Sequence, residues 1–259
     1  MEVLSRGEIV GKIKERTIWK SSEVCHVVGS GWSLNRSKIE IEKNDFVIGF
    51  NYAGIYDLNY DAYFVEFGGI GVSKVAISHK NIVDNVVSKS TDIILFKNLW
   101  ESKNDKYFIE KKWGQSVKYA KDYVVPCIRE ASLKGILENC LNESGMYLPQ
   151  YTSTALTCVF LMYFSGYKSI VLHGIDFGGQ YFYEASDFDG DRDYCPQLEV
   201  SDKFYKATTI NTVHPTATSS VGMKTAIPIL ASLLAHRGVT LYAAHESSPL
   251  SSFLPVYKK

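Results

Sequence analysis

Several stretches of this 259-residue chain put ligand-seeking side chains where short apolar runs break. Gly29-Ser30-Gly31-Trp32-Ser33-Leu34 follows the run Glu23 to Gly29. Its glycines let the main chain pass close to a bound molecule, and amides opening the next helical turn can receive an anion or a ribose phosphate. A tight strand-to-helix turn needs the same glycines with no ligand. The stretch also lacks the third glycine of a dinucleotide fingerprint and the lysine-serine pair of a phosphate loop. Asn51, in Phe50-Asn51-Tyr52, closes a second run and Glu66 a third. An asparagine there can donate to and accept from a base or sugar, or make an Asx turn. In Leu172-His173-Gly174-Ile175-Asp176-Phe177-Gly178-Gly179, glycines flank Asp176, which can hold a loop or touch a ligand, and Tyr181 and Tyr183 follow at once. His214, in Asn211 to Thr216, is a natural general base on a loop feeding a site, or a solvated structural residue.

The elements that must position these groups alternate between strand and helix. Glu23 to Gly29, Phe46 to Phe50, Tyr60 to Phe67, Asp92 to Phe96, Ser169 to Gly174 and Val239 to Ala244 read as buried strands. A Ser/Asn/Lys-rich helical stretch separates the first two. Thr152 to Ser165 is apolar on nearly every face, opens with Ser/Thr caps and stops at Gly166, which predicts a helix in the middle of a packed layer. A last helix runs from about Ser219 to His236, ends at Gly238 and is predicted to kink at Pro228. This order implies an α/β fold: a single Rossmann-like, doubly wound, mostly parallel sheet covered on both faces. Ligands of such sheets bind outside the carboxyl ends of the strands. Lys97 to Gln115, charged and aromatic, stands outside the pattern. So does Gly178 to Thr212, polar and tyrosine-rich, which is too long for an idle connection and is read as a lid at about 178–212 on a single domain.

Composition narrows the partners. Lysine plus arginine and aspartate plus glutamate both number 28, so no basic surplus offsets a nucleic-acid backbone. The 5 cysteines are scattered without a C-x-x-C pair, against a disulfide framework or a thiolate zinc site. The amino terminus is polar, with no secretory h-region, and the longest apolar run, Cys158 to Phe164, is far short of the roughly 18 residues that span a bilayer. A soluble cytoplasmic protein is expected, with room for peripheral contact at the inner face of the membrane and for a homo-oligomer. Asp187-Phe188-Asp189-Gly190-Asp191-Arg192-Asp193 alternates carboxylates that could hold a divalent cation, or form a solvated acidic loop.

Taken in order from about Val24 to Phe253, the landmarks resemble the bacterial sialyltransferases of glycosyltransferase family 42, which modify lipooligosaccharide and capsule. The matching residues are VVGSGWSL, Phe50-Asn51, Tyr151-Thr152-Ser153, Gly166-Tyr167-Lys168, Gly174-Ile175-Asp176-Phe177, the tyrosine-bearing lid, the histidine before the last helix and LYAAHESSPLSSF. The resemblance implies a GT-A-like variant of the fold and an inverting transferase that moves a nonulosonic acid from a CMP-activated donor to an oligosaccharide or glycolipid hydroxyl. It needs no obligatory metal or other cofactor. By the same resemblance Gly29, Gly31, Ser33 and Asn51 line the nucleotide, Thr152 and Ser153 touch the donor, and Gly174, Ile175, Asp176 and Phe177 hold the cytidine. Tyr181 and Tyr183 steady the departing phosphate and His214 is the base. Ser30, Glu66 and Gln150 stand at donor-contacting positions where the family carries asparagine, asparagine and arginine. These departures open the donor to other nonulosonic acids or Kdo. Two further readings are a metal-dependent transferase working through Asp187 to Asp193, and a nucleotide- or glycan-binding module without catalysis.

Overall fold

A computed structural model of the chain describes residues 2–17, 20–36, 39–65, 81–86, 88–89, 91, 93–97, 117–120, 122–124, 130–142, 148–150, 153–179, 181–190 and 222–259. The strands are β1 (Glu2–Leu4), β2 (Val24–Val28), β3 (Phe46–Phe50), β4 (Ala62–Val65), β5 (Ile93–Lys97), β6 (Val117–Ala120), β7 (Asp122–Val124), β8 (Leu148–Gln150), β9 (Ser169–His173) and β10 (Thr240–Ala243). Of the α-helices, α1 spans Arg6–Thr17, α2 Glu130–Asn142, α3 Thr154–Ser165 and α4 Met223–Ala235. Eight strands form one sheet in the order β1-β6-β5-β4-β3-β2-β9-β10, and every neighbouring pair is parallel. β7 and β8 pair separately, also in parallel.

The order contains the feature that matters for function. From β2 the sheet grows through β3, β4, β5 and β6 on one side, and through β9 and β10 on the other. Winding therefore reverses between β2 and β9, and their carboxyl ends border the crevice where doubly wound sheets hold ligands.

One face of the sheet carries Cys25, Val27, Ile170 and Leu172 and packs with α1, α3 and α4. α3 is buried at every position from Thr154 to Met162, which explains its uniform apolarity. The Ser153 hydroxyl accepts from the Ala155 amide at 3.2 Å to start it, and Gly166, at φ +98°, ends it. The other face carries Val28, Val47, Tyr63 and Ile94 and is covered by Tyr52, Ile82, Phe182 and Tyr183. At the edge beyond β10, Ala243 donates to the Pro255 carbonyl and accepts from the Tyr257 amide, both at 2.9 Å, which seats the last residues of the chain beside the sheet.

Several expectations change. The amino terminus is an edge strand and α1, anchored by fully buried Ile9 and Ile13. The helical stretch expected after β2 contracts to a 3-10 turn, Trp32–Arg36, and residues 39–42 are irregular. β6, β7, β8 and α2 are additional. α4 opens at Met223 from Gly222 and runs through Pro228, held by buried Ile227, Leu230 and Leu234. Among the described residues no helix is long and apolar enough to cross a membrane. Of the stretch read as a lid, 178–179 and 181–190 are described, and 98–115 of the charged stretch after β5 lies outside the described residues.

Candidate functional site at the winding reversal

At the crevice two turns meet main chain to main chain. The Gly29 amide donates to the His173 carbonyl at 2.8 Å, and the Gly31 amide to the Gly174 carbonyl at 2.7 Å. A Cβ on Gly29 would sit 2.6 Å from the Gly174 oxygen, and Gly174 itself has φ +56°. The glycines of the first turn are thus required by the neighbouring strand end, a reason the sequence reading had not separated from ligand approach.

Ser33 is fully buried, and its amide donates to Asp176 Oδ2 at 2.8 Å. A Cβ on Gly31 would come within 2.3 Å of that same oxygen. Burial pushes the Asp176 carboxyl up, against the opposing pull of Ser33 and of His245. Its other oxygen, Oδ1, is buried without a hydrogen-bond partner among the described residues. A buried carboxylate oxygen with spare accepting capacity is costly unless a ligand or water meets it.

His245, two residues beyond β10, completes the clasp on Ser33. Its Nε2 lies 2.8 Å from the Ser33 carbonyl, which can only accept, so Nε2 carries the hydrogen. Nδ1 then accepts from the Ser247 hydroxyl at 2.7 Å. Ser33 is held by its N–H from the end of β9 and by its C=O from the end of β10. No role was anticipated for His245. A signal was present: it follows a strand's carboxyl end just as Asn51 and Asp176 do.

The start of the lid stretch lies over the first turn. Gly31 and Tyr181 form an antiparallel bridge, the Phe182 amide donates to the Ser30 carbonyl at 3.1 Å, and Asn35 Nδ2 donates to the Phe182 carbonyl at 2.5 Å. Gly179, at φ +90°, packs so closely on Trp32 that a Cβ would fall 2.8 Å from its ring. Tyr181 stacks on Tyr183 with centroids 5.2 Å apart and planes 8° from parallel. Tyr52 stands edge-on to both, at 5.4 and 6.1 Å. Tyr181 is half-buried, whereas Tyr183 is only 2% exposed. Asn51 has φ +50°, a left-handed conformation that asparagine tolerates, and its carbonyl accepts from the Tyr63 hydroxyl. Tyr63 oxygen in turn accepts from the Gly54 amide at 2.6 Å.

Gly29, Ser30, Gly31, Ser33, Gly174, Ile175, Asp176 and Phe177 therefore meet beyond the carboxyl ends of β2 and β9. Asn51 closes the neighbouring strand β3, and Tyr52 beside it reaches Tyr181 and Tyr183. Ile175 is buried in the core, and Phe177 meets the Phe253 ring at 5.9 Å. The Ser153 hydroxyl caps α3. Glu66, Thr152 and His214 lie outside the described residues, as does the side chain of Gln150, whose main chain ends β8. Asp187 and Asp189 are described and Asp191 and Asp193 are not. Among the described residues no three His, Cys, Asp or Glu side chains gather to hold a cation.

An open, doubly wound α/β sheet whose winding reverses between β2 and β9 is the class these features define. The particular fold is shared with the monofunctional alpha-2,3-sialyltransferase Cst-I of Campylobacter jejuni, at 17% identity over 92% of this chain and 81% of that one, with a TM-score of 0.50. The Campylobacter jejuni sialyltransferase CstII in complex with CMP-3FNeuAc aligns at 15% identity, over 90% and 86% of the two chains, with a TM-score of 0.49. At 17% identity the likeness to Cst-I is one of fold. No family model and no curated protein sequence matches the chain.

Proposed function

We propose that the chain is an inverting glycosyltransferase that moves a nonulosonic acid, sialic acid or a relative, from a CMP-activated donor to a hydroxyl of an oligosaccharide or glycolipid. The observation that carries the reading is the crevice at the reversal between β2 and β9. There a glycine turn lies against Gly174, the buried Oδ1 of Asp176 has accepting capacity to spare, and Tyr181 lies over the turn. The fold shared with Cst-I, whose own description is that of an alpha-2,3-sialyltransferase, supports it, as do the sequence landmarks.

In this reading Gly174, Ile175, Asp176 and Phe177 hold the cytidine, while Gly29, Ser30, Gly31, Ser33 and Asn51 line the nucleotide. Thr152, Ser153, Glu66 and Gln150 set the sugar. The acceptor oxygen attacks the anomeric carbon as the bond to CMP breaks, and the electron pair leaves with the phosphate. His214 takes the acceptor's proton, help worth roughly 10²–10⁴-fold in rate. Tyr181, with Tyr183 stacked behind it, steadies the charge growing on the phosphate. Residues 178–212 act as the lid.

The test begins with CMP, UDP and GDP added separately to the full chain. A ligand binding only the folded state adds about 2.7 kcal/mol of stability at a hundred times its Kd, so a CMP-selective rise in Tm is expected. A panel of CMP sugars read by mass spectrometry then identifies the donor. His214→Ala should abolish transfer while leaving CMP binding nearly intact. The absence of a shift with CMP, or full turnover in that variant, refutes the corresponding part.

A further inference from the structure

Behind the crevice runs a chain of buried polar groups that the proposed chemistry does not use. His26 in the middle of β2 is fully buried, Asp45 just before β3 is 3% exposed, and His173 at the end of β9 is 6% exposed. His26 Nε2 lies 3.2 Å from Asp45 Oδ2, and His26 Nδ1 lies 2.8 Å from His173 Nε2. In register His26 faces Val171 and Val28 faces His173, so the chain climbs diagonally from the amino end of the sheet to its carboxyl end. Such strands are ordinarily filled with aliphatic side chains, and three polar ones buried together need a reason.

The hydrogens have a fixed direction. Asp45 Oδ1 accepts from the Ser22 hydroxyl at 2.6 Å and Oδ2 from the Glu42 amide at 3.0 Å. Burial alone would raise the Asp45 carboxyl, but these bonds and the one from His26 outweigh it and hold it below the usual range. The ionised carboxylate can only accept, so the hydrogen of neutral His26 sits on Nε2 and Nδ1 is bare. Nε2 of His173 must then donate to it. Burial keeps both imidazoles neutral by lowering them below their ordinary values, against the pull of Asp45 on His26 and with the repulsion of His26 and His245 on His173. The other groups facing these three residues include the Tyr257 ring, edge-on 6.2 Å from His26, the Lys259 charge, which disfavours protonation of His26 further, the Lys20 ammonium, which donates to the Asp45 carbonyl at 2.8 Å, and the buried Cys25 thiol, pushed up by burial and by Asp45.

We propose that Asp45, His26 and His173 are positioning residues for the ligand turn: the Asp45 carboxylate dictates the direction of both imidazole bonds, and the ring thus fixed at His173 sets the His173–Gly174 main chain that carries Gly29 and Gly31. The link is short. The His173 carbonyl accepts from Gly29 and the next carbonyl from Gly31, so a rotation of the peptide between them disturbs both contacts. A proton taken up by His26 would put N–H groups of both rings face to face, and the bond is then kept only if the His173 hydrogen moves to Nδ1. The consequence for CMP rests on the function proposed above; the consequence for the turn does not.

The full chain, labelled with ¹⁵N-histidine, reports both tautomers by NMR at pH 7.5. His26 and His173 are expected as neutral Nε2–H forms, and an Nδ1–H or charged His173 overturns the proposal. Glutamine at 173 keeps a donor near the Nε2 position and asparagine does not. His173→Gln should therefore hold CMP affinity within about threefold, and His173→Asn should weaken it roughly tenfold, the equivalent of one well-made hydrogen bond. Asp45→Ala should weaken it by a similar factor. Hydrogen exchange at the Gly29 and Gly31 amides gives a reading independent of any ligand: protection falls in His173→Asn and Asp45→Ala and is kept in His173→Gln. Wild-type protection in all three overturns the proposal. If the wild-type chain ignores CMP while exchange follows this order, the function proposed above fails and the positioning chain stands.

Discussion

Gly29→Ala tests the contact on which the crevice rests. The added methyl carbon would lie 2.6 Å from the Gly174 oxygen, 3.0 Å from the Phe50 ring and 3.2 Å from Ile175. An ordinary carbon–oxygen contact needs about 3.4 Å or more, and the oxygen belongs to a main chain held at φ +56° by a parallel strand on each side. Relief must come from separating the turns, which lengthens the Gly29–His173 and Gly31–Gly174 bonds at 2.8 and 2.7 Å. Overpacking a tight site costs about 1–3 kcal/mol. Each weakened hydrogen bond adds about 0.5–1.5 kcal/mol. A total loss of about 2–6 kcal/mol follows, large beside the ~5–15 kcal/mol that holds a typical domain. Gly11→Ala in α1 is the control, because nothing lies within 4 Å of its Cβ and alanine in a helix gains about 0.5–1 kcal/mol over glycine. Urea denaturation of both variants with a common m-value reads the difference, and CMP affinity should fall only in Gly29→Ala. If Gly29→Ala unfolds at the wild-type midpoint, the close approach of β2 and β9 at this turn is wrong, and so is the site built on it.

The same site yields three further tests. His245→Ala removes the donor to the Ser33 carbonyl and should cost about 1 kcal/mol with a matching loss of CMP affinity; His245→Gln, which keeps a donor near Nε2, should recover most of both, and equal behaviour of the two variants would deny His245 its hold on Ser33. His26 and His173 have folded values depressed below the ordinary 6.5, so their stabilisation is complete above that value and is lost as pH falls through it towards their folded values. Tm should therefore drop below pH 6.5, and less steeply in His173→Gln; Asp176 and Glu184, raised by burial, act with the opposite sign and soften the slope in the carboxylate range. Asp176→Asn removes the charged acceptor, so the preference for CMP over its 2′,3′-dideoxy analogue should shrink; an undiminished preference in equilibrium binding would remove Asp176 from the ribose.

The elements around the crevice were legible because their signals are local. Apolar runs closed by glycine or asparagine gave β2, β3 and β9, and a uniformly apolar stretch between Ser153 and Gly166 gave α3. α1 was hidden by its charge and by Gly7 and Gly11, although Ile9 and Ile13, one turn apart and fully buried, form a short apolar stripe. The turn at Gly29 was placed correctly, yet the demand on its glycines comes from Gly174, some 145 residues on in the chain. His26 and His173 sit inside apolar runs and look like incidental polar residues there. Only the pairing of β2 with β9 brings their rings to 5.1 Å, and no spacing in a single sequence encodes that meeting.

The neutral charge of the chain bears on how an anionic nucleotide would lie in the crevice. Asp176 is a carboxylate beside the glycine turn, and a phosphate placed 4 Å from it would meet repulsion of about 4 kcal/mol at an effective dielectric of 20. Its one protein-satisfied oxygen already occupies the Ser33 amide, which is therefore closed to phosphate as well. The bare oxygen, by contrast, accepts a hydroxyl hydrogen and gains by it. Under the proposed function the nucleoside lies at the β9 side, with its ribose on Asp176, and the phosphate lies towards Asn51 and Tyr181. In that arrangement the direction of the hydrogen bond from the ribose hydroxyl to Asp176 Oδ1 fixes which end of the nucleotide faces β9.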